Sequence, residues 1–512
     1  MTFRMWVWSL AVCLAGGVAA GAGLAAQSRD AGGWWNPGQG DLMPALSTYA
    51  NPGGAVGILN TSGAVQTKGH PFFEPLGTNG RACVTCHQPA NGMSVSAAAI
   101  RAQWTATKGK DPIFAAIDGA NCPSLPQDLE SSHSLLLNRG LFRVALAWPP
   151  VDARGVALSP EFSIEVVRDP SGCNIDATYG LKSSKPTISV FRRPRVAANL
   201  KYVATSSGSF NIKTGALMDV DPETGIPVGM NIMSDAREPT LATQARSAAR
   251  EHLEVRTPLT RQQVETIIAF EQQVYAAQSV SAAAGSLTEP GGPSGLGPEV
   301  MARSERGLGD NIHTPVFGFF TTWKAPAATA ETSDARRQFR ASVARGSDVF
   351  FLRPFWIRDA THINSIGLGN PLKRTCATCH NSLLVGTDAA PGYVDLGTTN
   401  YPRWTESALA IDAKKPELPV FKVTCDKTAP PHPYLGREIY TTDPGRALIS
   451  GKCADVGAIV MQQFRGLSAR APYFSNGAAA TLREVVDYYD RRFDAKYTEQ
   501  EKVDLVNFLS VL

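Results

Sequence analysis

Two short stretches of this chain are near copies of each other, and together they constrain it more than any other feature. Arg81-Ala82-Cys83-Val84-Thr85-Cys86-His87 returns as Arg374-Thr375-Cys376-Ala377-Thr378-Cys379-His380. Each contains C-x-x-C-H, the spacing of a c-type haem attachment site. Two thiols about one helical turn apart can add to the two vinyl groups on one porphyrin edge, and the adjacent histidine then ligates the iron. A lone C-x-x-C would also suit a redox dithiol or half a zinc site. Here a histidine follows both times, and no second C-x-x-C lies at zinc-ribbon spacing. The pattern therefore implies two covalently bound haem c groups, held by Cys83, Cys86 and His87 and by Cys376, Cys379 and His380.

The N-terminus reads as an export segment. Arg4 precedes an apolar run from Met5 to Leu14, and small residues follow, with Ala20-Gly21-Ala22 or Leu24-Ala25-Ala26 as the cleavage site. The rival is an uncleaved anchor, since a span needs about 20 apolar residues. Either way the body is expected in the periplasm, where c-type attachment takes place and cysteines oxidise. Setting aside Cys13 and the four haem cysteines leaves Cys122, Cys173, Cys425 and Cys453. Pairing within each half is the natural expectation, although three connectivities are open. A formal net charge of +4 over 512 residues, with no basic run, gives no reason to expect a nucleic-acid partner.

Taken in order, residues 27–70 are rich in Gly, Ala and Pro and read as a loosely structured lead-in. The first haem motif follows on a turn entering a short helix. Residues 95–230 read as a partly β insertion. Phe142, Val144, Leu146 and Trp148 alternate on one face until Pro149, Phe162 to Val167 alternates likewise, and 219–227 carries a turn signal. Residues 236–275 read as helical, with Thr260 to Gln263 as a capping box before Val264, Ile267, Ile268 and Phe270. The C-terminus repeats this: Thr498 to Glu501 caps a stripe of Leu505, Phe508, Leu509 and Leu512. Haem motif first and packing helix last is an internal repeat. The expected fold is mainly α, with two cytochrome c-like haem domains in tandem at 27–278 and 336–512, joined by a linker at 279–335.

The chain also resembles the bacterial di-haem cytochrome c peroxidase family, which includes the enzymes that mature tryptophan tryptophylquinone. Ser234-Asp235-Ala236-Arg237 through Leu241, Gln244 and Ala245 is similar to that family's W-D-G-R-x-x-x-L-x-x-Q-A. Pro472-Tyr473-Phe474-Ser475-Asn476-Gly477, then Thr481-Leu482-Arg483-Glu484-Val485-Val486, is similar to its P-Y-F-H-D-G and T-L-x-E-V-V. The insertions at 95–190 and around 400–455 fall outside the resemblance.

The resemblance implies roles. The N-terminal haem is the substrate-reactive one, with Gln244 beside it and, ten residues later, Glu254 as the carboxylate that moves protons during O–O cleavage. His252 is a further acid–base group, a ligand or a structural residue. No histidine follows His87 until His133, so an open iron site at rest is expected, and His133 is the residue that would close it. The C-terminal haem carries electrons. Seventeen residues after Pro472 comes Tyr489 as its sixth ligand, with Met461 and His432 as competitors. Two departures stand out. Ser234 occupies the place of the tryptophan between the haems, and Arg470 occupies that of a calcium-ligating threonine, so the calcium site is expected to be lost or altered.

The reading is a periplasmic di-haem oxidoreductase that reduces hydrogen peroxide with electrons from a small cytochrome or cupredoxin. Peroxide- or O2-dependent oxidation of a protein side chain or organic substrate is the alternative enzyme, and a non-catalytic electron-transfer cytochrome is the alternative of another class.

Overall fold

The computed structural model describes residues 33–152, 155–204, 231–303, 319–325, 333–380, 392–401 and 417–512, together with short strands at 27–28, 210–211 and 216–217. The stretch read as an export segment and the turn signal expected at 219–227 lie outside these residues. No described helix is long and apolar enough to cross a membrane.

The chain is not mainly α, and a tandem of cytochrome c-like domains is not evident. Among the described residues, helix accounts for 32% and strand for 20%. The departure begins in the stretch expected to be a loose lead-in. Leu46–Asn51 and Gly54–Asn60 form an antiparallel hairpin inside a five-stranded sheet, which Val274–Ser281 and Gly285–Ser286 complete on one side and Gln27–Ser28 on the other. Ser47 and Tyr49 on one arm and Val56 and Ile58 on the other are buried, a period-two pattern. Gly54 (φ 133°) sits where a Cβ would lie 2.2 Å from the Val280 carbonyl, so only glycine lets that strand approach. The Gly- and Pro-rich composition marks the turn between strands, not an absence of strands.

The two insertions that fall outside the resemblance fold together. Phe162–Arg168 from the first half and Glu438–Thr441 from the second flank Val420–Cys425 in one three-stranded sheet. Phe162, Val423, Leu435 and Ile439 pack one apolar cluster with Cys425 and Cys453. The halves are thus interlocked, which a tandem arrangement does not allow. Cys122 is bonded to Cys173 and Cys425 to Cys453, leaving Cys83, Cys86, Cys376 and Cys379 as free thiols. The described part of 279–335 also joins a core: Leu287, Leu296, Phe320 and Trp323 pack with Val343 and Phe508.

Where periodicity and caps were strong, the expected elements are present. Phe142–Ala147 is a strand. Arg261–Gln273 begins at the Thr260–Gln263 capping box and Glu499–Ser510 at the Thr498–Glu501 box. The last helix lies against Asp334–Leu352 so closely that a Cβ on Gly346 would sit 2.0 Å from the Asp504 carbonyl. The chain end then caps the N-terminal sheet, with Gln278 and Gly466 both donating to the Leu512 carbonyl.

Candidate functional site

Each C-x-x-C-H lines its own cavity. Cys83–Cys86 is a single helical turn, and Cys376–Thr378 a 3-10 turn. In both, a threonine side chain accepts the backbone N–H that opens the turn: Thr85 from Ala82, Thr378 from Thr375. The repeated R-x-C-x-T-C-H therefore encodes its own local fold.

The first cavity spans about 1380 Å³, part of it open to solvent. Cys83, Cys86 and His87 line it with one face of helix Leu241–His252, contributed by Leu241, Gln244, Ala245, Ala248 and His252. These positions recur at the helical period. His87 Nδ1 lies 3.3 Å from the Met93 carbonyl, which fixes the ring. Burial pulls its pKa down to about 4, so the imidazole is neutral, the form a metal requires. Burial pushes the Cys86 thiol up to about 12 and the Cys83 thiol higher still. Glu271, from helix Arg261–Gln273, also lines this cavity. It is 5% exposed, its Oε2 has no hydrogen-bond partner, and burial pushes its carboxyl up to about 8.

The second cavity, about 690 Å³, is almost wholly apolar, lined by Cys376, Cys379 and His380 with Phe350, Phe464 and Leu505 among others. The His380 ring stands 4.1 Å from that of Phe464, and burial pulls its pKa down to about 3. Tyr489 and Met461 both line this cavity. His432 does not; its Nε2 is 3.2 Å from Thr361 Oγ1 and 3.4 Å from Asp395. A third cavity of about 920 Å³ shares Arg193, Pro194, Gln462 and Gln463 with the first and His380, Met461 and Tyr489 with the second. The third cavity thus borders both of the others.

Other residues singled out from the sequence lie as follows. Gln244 faces the first cavity. Glu254 does not; it is exposed, in the left-handed conformation (φ 55°), and lines an outer chamber of about 970 Å³. His133 is buried with both ring nitrogens on backbone carbonyls, those of Gly119 and Gln127, and lines neither cavity. Ser234 lines the first cavity, and its carbonyl accepts from the Val460 amide at 2.8 Å. No tryptophan is among the described residues lining either cavity. Arg470 donates its guanidinium to the Gln463 carbonyl. Asp235 and Arg237 of the S-D-A-R stretch form a buried network with Arg192, which also grips Asp443. Burial opposes the charge on Asp235, but Arg237 and Arg192 hold its carboxyl far below the usual range.

Two groups were not singled out from the sequence. The first is Arg193 and Arg195, which stand with Arg470 in the wall between the cavities. All three donate to backbone carbonyls, none forms an ion pair among the described residues, and burial lowers them to about 9, 10 and 10. The run Arg192-Arg193-Pro194-Arg195 was the visible signal. The second is Asp118, which no local pattern marks. It is buried against Arg81 and accepts a 2.6 Å hydrogen bond from His252 Nδ1.

These residues fit two haems. A pair of free thiols and a neutral buried imidazole open onto an apolar cavity of cofactor size in each case. The uncompensated arginines between the cavities, Arg470 with an unpartnered Nε, suit the carboxylates that a porphyrin carries. Among the described residues no group of three or more His, Cys, Asp or Glu could hold a separate metal ion.

Comparison with known proteins agrees in kind. The chain is similar to a cytochrome-c peroxidase, IdrP1, of Pseudomonas sp. (strain SCT), at 27% identity over 156 residues, which cover 27% of this chain and 37% of the relative. The match thus spans little more than a third of that protein's length. No family model matches. The likeness points to a peroxidase-like oxidoreductase, and a cytochrome-c peroxidase implies haem.

Proposed function

We propose that the chain is an exported di-haem oxidoreductase that reduces hydrogen peroxide at the site of Cys83, Cys86 and His87 and receives electrons through the site of Cys376, Cys379 and His380. The observation that carries the proposal is the pair of C-x-x-C-H turns, each with free thiols and a neutral histidine facing its own cavity, with a third cavity bordering both. The partial likeness to a cytochrome-c peroxidase supports the same class.

When bound, haem supplies the redox chemistry: a site for peroxide at one centre and a store of single electrons at the other. The chain does the rest. Cys83 and Cys86 would hold one porphyrin edge, and His87, its ring fixed by the Met93 carbonyl, would ligate the iron. Gln244 lines the same cavity and would present its amide there to peroxide or water. Glu254, in the outer chamber, exchanges protons with solvent. Tyr489 or Met461 would serve as the further ligand at the second site, whose apolar lining excludes water. Arg193, Arg195 and Arg470 balance carboxylate charge between the two. The electron donor is a small cytochrome or cupredoxin, and the protein works in the periplasm.

The test is peroxide consumption by the purified, haem-loaded protein with a reduced small cytochrome as donor. His87→Ala is expected to abolish turnover with the second haem intact. His380→Ala is expected to stop turnover with donor while leaving the reaction of pre-reduced protein with peroxide. Loading of fewer than two haems, or turnover that survives His87→Ala, would reject the proposal. The outer chamber beside His252 and Asp118 favours one second reading, peroxide- or O2-dependent oxidation of an organic substrate. Product formation from added phenols would mark it.

A further inference from the structure

Between the first cavity and the outer chamber stands a histidine–aspartate pair. His252 ends helix Leu241–His252, one turn beyond Ala248 and two beyond Gln244, on the face that lines the cavity. It also lines the outer chamber, and 29% of its side chain is exposed. Asp118 lines both spaces as well but is only 5% exposed. It comes from the short helix Ala116–Gly119 and accepts from His252 Nδ1 at 2.6 Å. Arg81 holds the other carboxylate oxygen.

The pair is rigidly supported. Arg81 is fully buried and also donates to the Pro112 and Ile113 carbonyls at 2.7 and 2.6 Å. Asn79 donates to the His252 carbonyl at 2.9 Å. A Cβ on Gly77 would lie 1.6 Å from the Leu253 carbonyl, so the loop into the first C-x-x-C-H is seated on the end of this helix. A carboxylate held ionised by an arginine can only accept, which keeps the proton on His252 Nδ1 and leaves Nε2 as the basic nitrogen. Other groups around His252 are the neutral His87 across the inner cavity and the charged Arg143, Glu251 and Glu254 across the outer chamber, which Arg250 and Arg256 also line.

We propose that His252, oriented by Asp118, is the proton-transfer residue of the reactive site, passing protons through Nε2 between the outer chamber and the inner cavity. The inference rests on the peroxide-reducing function proposed above. His252 takes one proton from hydrogen peroxide and returns it to the oxygen that leaves as water when the O–O bond breaks. The remaining oxygen leaves as a second water, with two protons from the outer chamber and two electrons from the small reduced donor protein. The imidazole ends the cycle as it began. Asp118 is a positioning residue, and Glu254 supplies protons from outside.

The test measures peroxide reduction by the haem-loaded protein as a function of pH, alongside electron paramagnetic resonance of the ferric state, in the wild type, His252→Gln and Asp118→Asn. For His252→Gln the peroxide rate is expected to fall about 100-fold or more and its pH profile to change, with haem content and the high-spin ferric signal unchanged. Asp118→Asn is expected to fall in the same direction, because an amide can donate to Nδ1 and reverse the tautomer, while keeping the same high-spin signal. An unchanged rate and pH profile in His252→Gln, with an active wild type, overturns the inference and leaves the function standing. So does conversion of a low-spin to a high-spin signal, which would make His252 an iron ligand. A wild type that consumes no peroxide overturns both.

Discussion

Glu271 offers a prediction that needs no substrate. Its carboxyl is buried in the wall of the first cavity, one oxygen has no partner, and burial pushes it from the ordinary 4.5 to about 8. In the unfolded chain the group ionises at its ordinary value. Between the two values the folded state keeps a proton that the unfolded state gives up, so stability falls as pH rises. At about 1.4 kcal/mol per pH unit, the loss reaches about 3 kcal/mol at neutral pH and about 5 kcal/mol above the folded value. Glu271→Gln removes the titration while keeping size and polarity, so the variant is expected to be more stable than the wild type by about 3 kcal/mol at neutral pH. Below the unfolded value the two should match. With an unfolding entropy of about 2 cal/mol/K per residue over 512 residues, this corresponds to about 3 °C in unfolding midpoint. The assay is calorimetry of the mature protein and the variant at about pH 4, 6 and 8. A midpoint difference that stays constant across that range would refute the reasoning, because it would mean that Glu271 is solvated or paired.

Three further outcomes follow from the packing. Gly346→Ala forces a Cβ into the Asp504 carbonyl and should cost about 1–3 kcal/mol, seen as a lower thermal midpoint with a disturbed second-haem spectrum, since Leu505 and Leu509 line that cavity. Tyr489→Phe or Met461→Leu should alter the low-spin spectrum of the second haem, whereas His432→Ala should leave it unaltered, because His432 is committed to Thr361 and Asp395. Removing the Cys122–Cys173 bridge, which spans 51 residues, should cost up to about 4 kcal/mol; alkylation of the unreduced, unfolded protein should label none of Cys122, Cys173, Cys425 and Cys453.

How much of this was legible depends on the range of each interaction. The local fold of the two C-x-x-C-H turns was legible, because Cys83, Thr85, Cys86 and His87 and their copies act within one turn. So were the helices capped by Thr260 and Thr498, where cap and apolar stripe agree. The fold class was misread because the strands at 46–60 depend on Val274–Ser281, more than 200 residues away, and because Phe162–Arg168 finds its partner in Val420–Cys425. Strand pairing at that distance leaves no local trace beyond an alternation that the Gly-rich turns obscured. Within the site, Gln244 was reachable through the motif that contains it. Asp118 was not: its partners Arg81 and His252 lie 37 and 134 residues away, and only tertiary packing brings the three together. Counting ten residues from Gln244 led to Glu254, whereas the position two residues before it, His252, is the one that faces the cavity.

The central claim is that one haem is open for chemistry and the other closed for electron transfer. Electron paramagnetic resonance of the ferric protein, recorded before and after addition of hydrogen peroxide, tests it most directly. The account predicts one high-spin and one low-spin signal, with the high-spin signal consumed by peroxide. Two low-spin signals that ignore peroxide would contradict it and leave an electron-transfer cytochrome in its place.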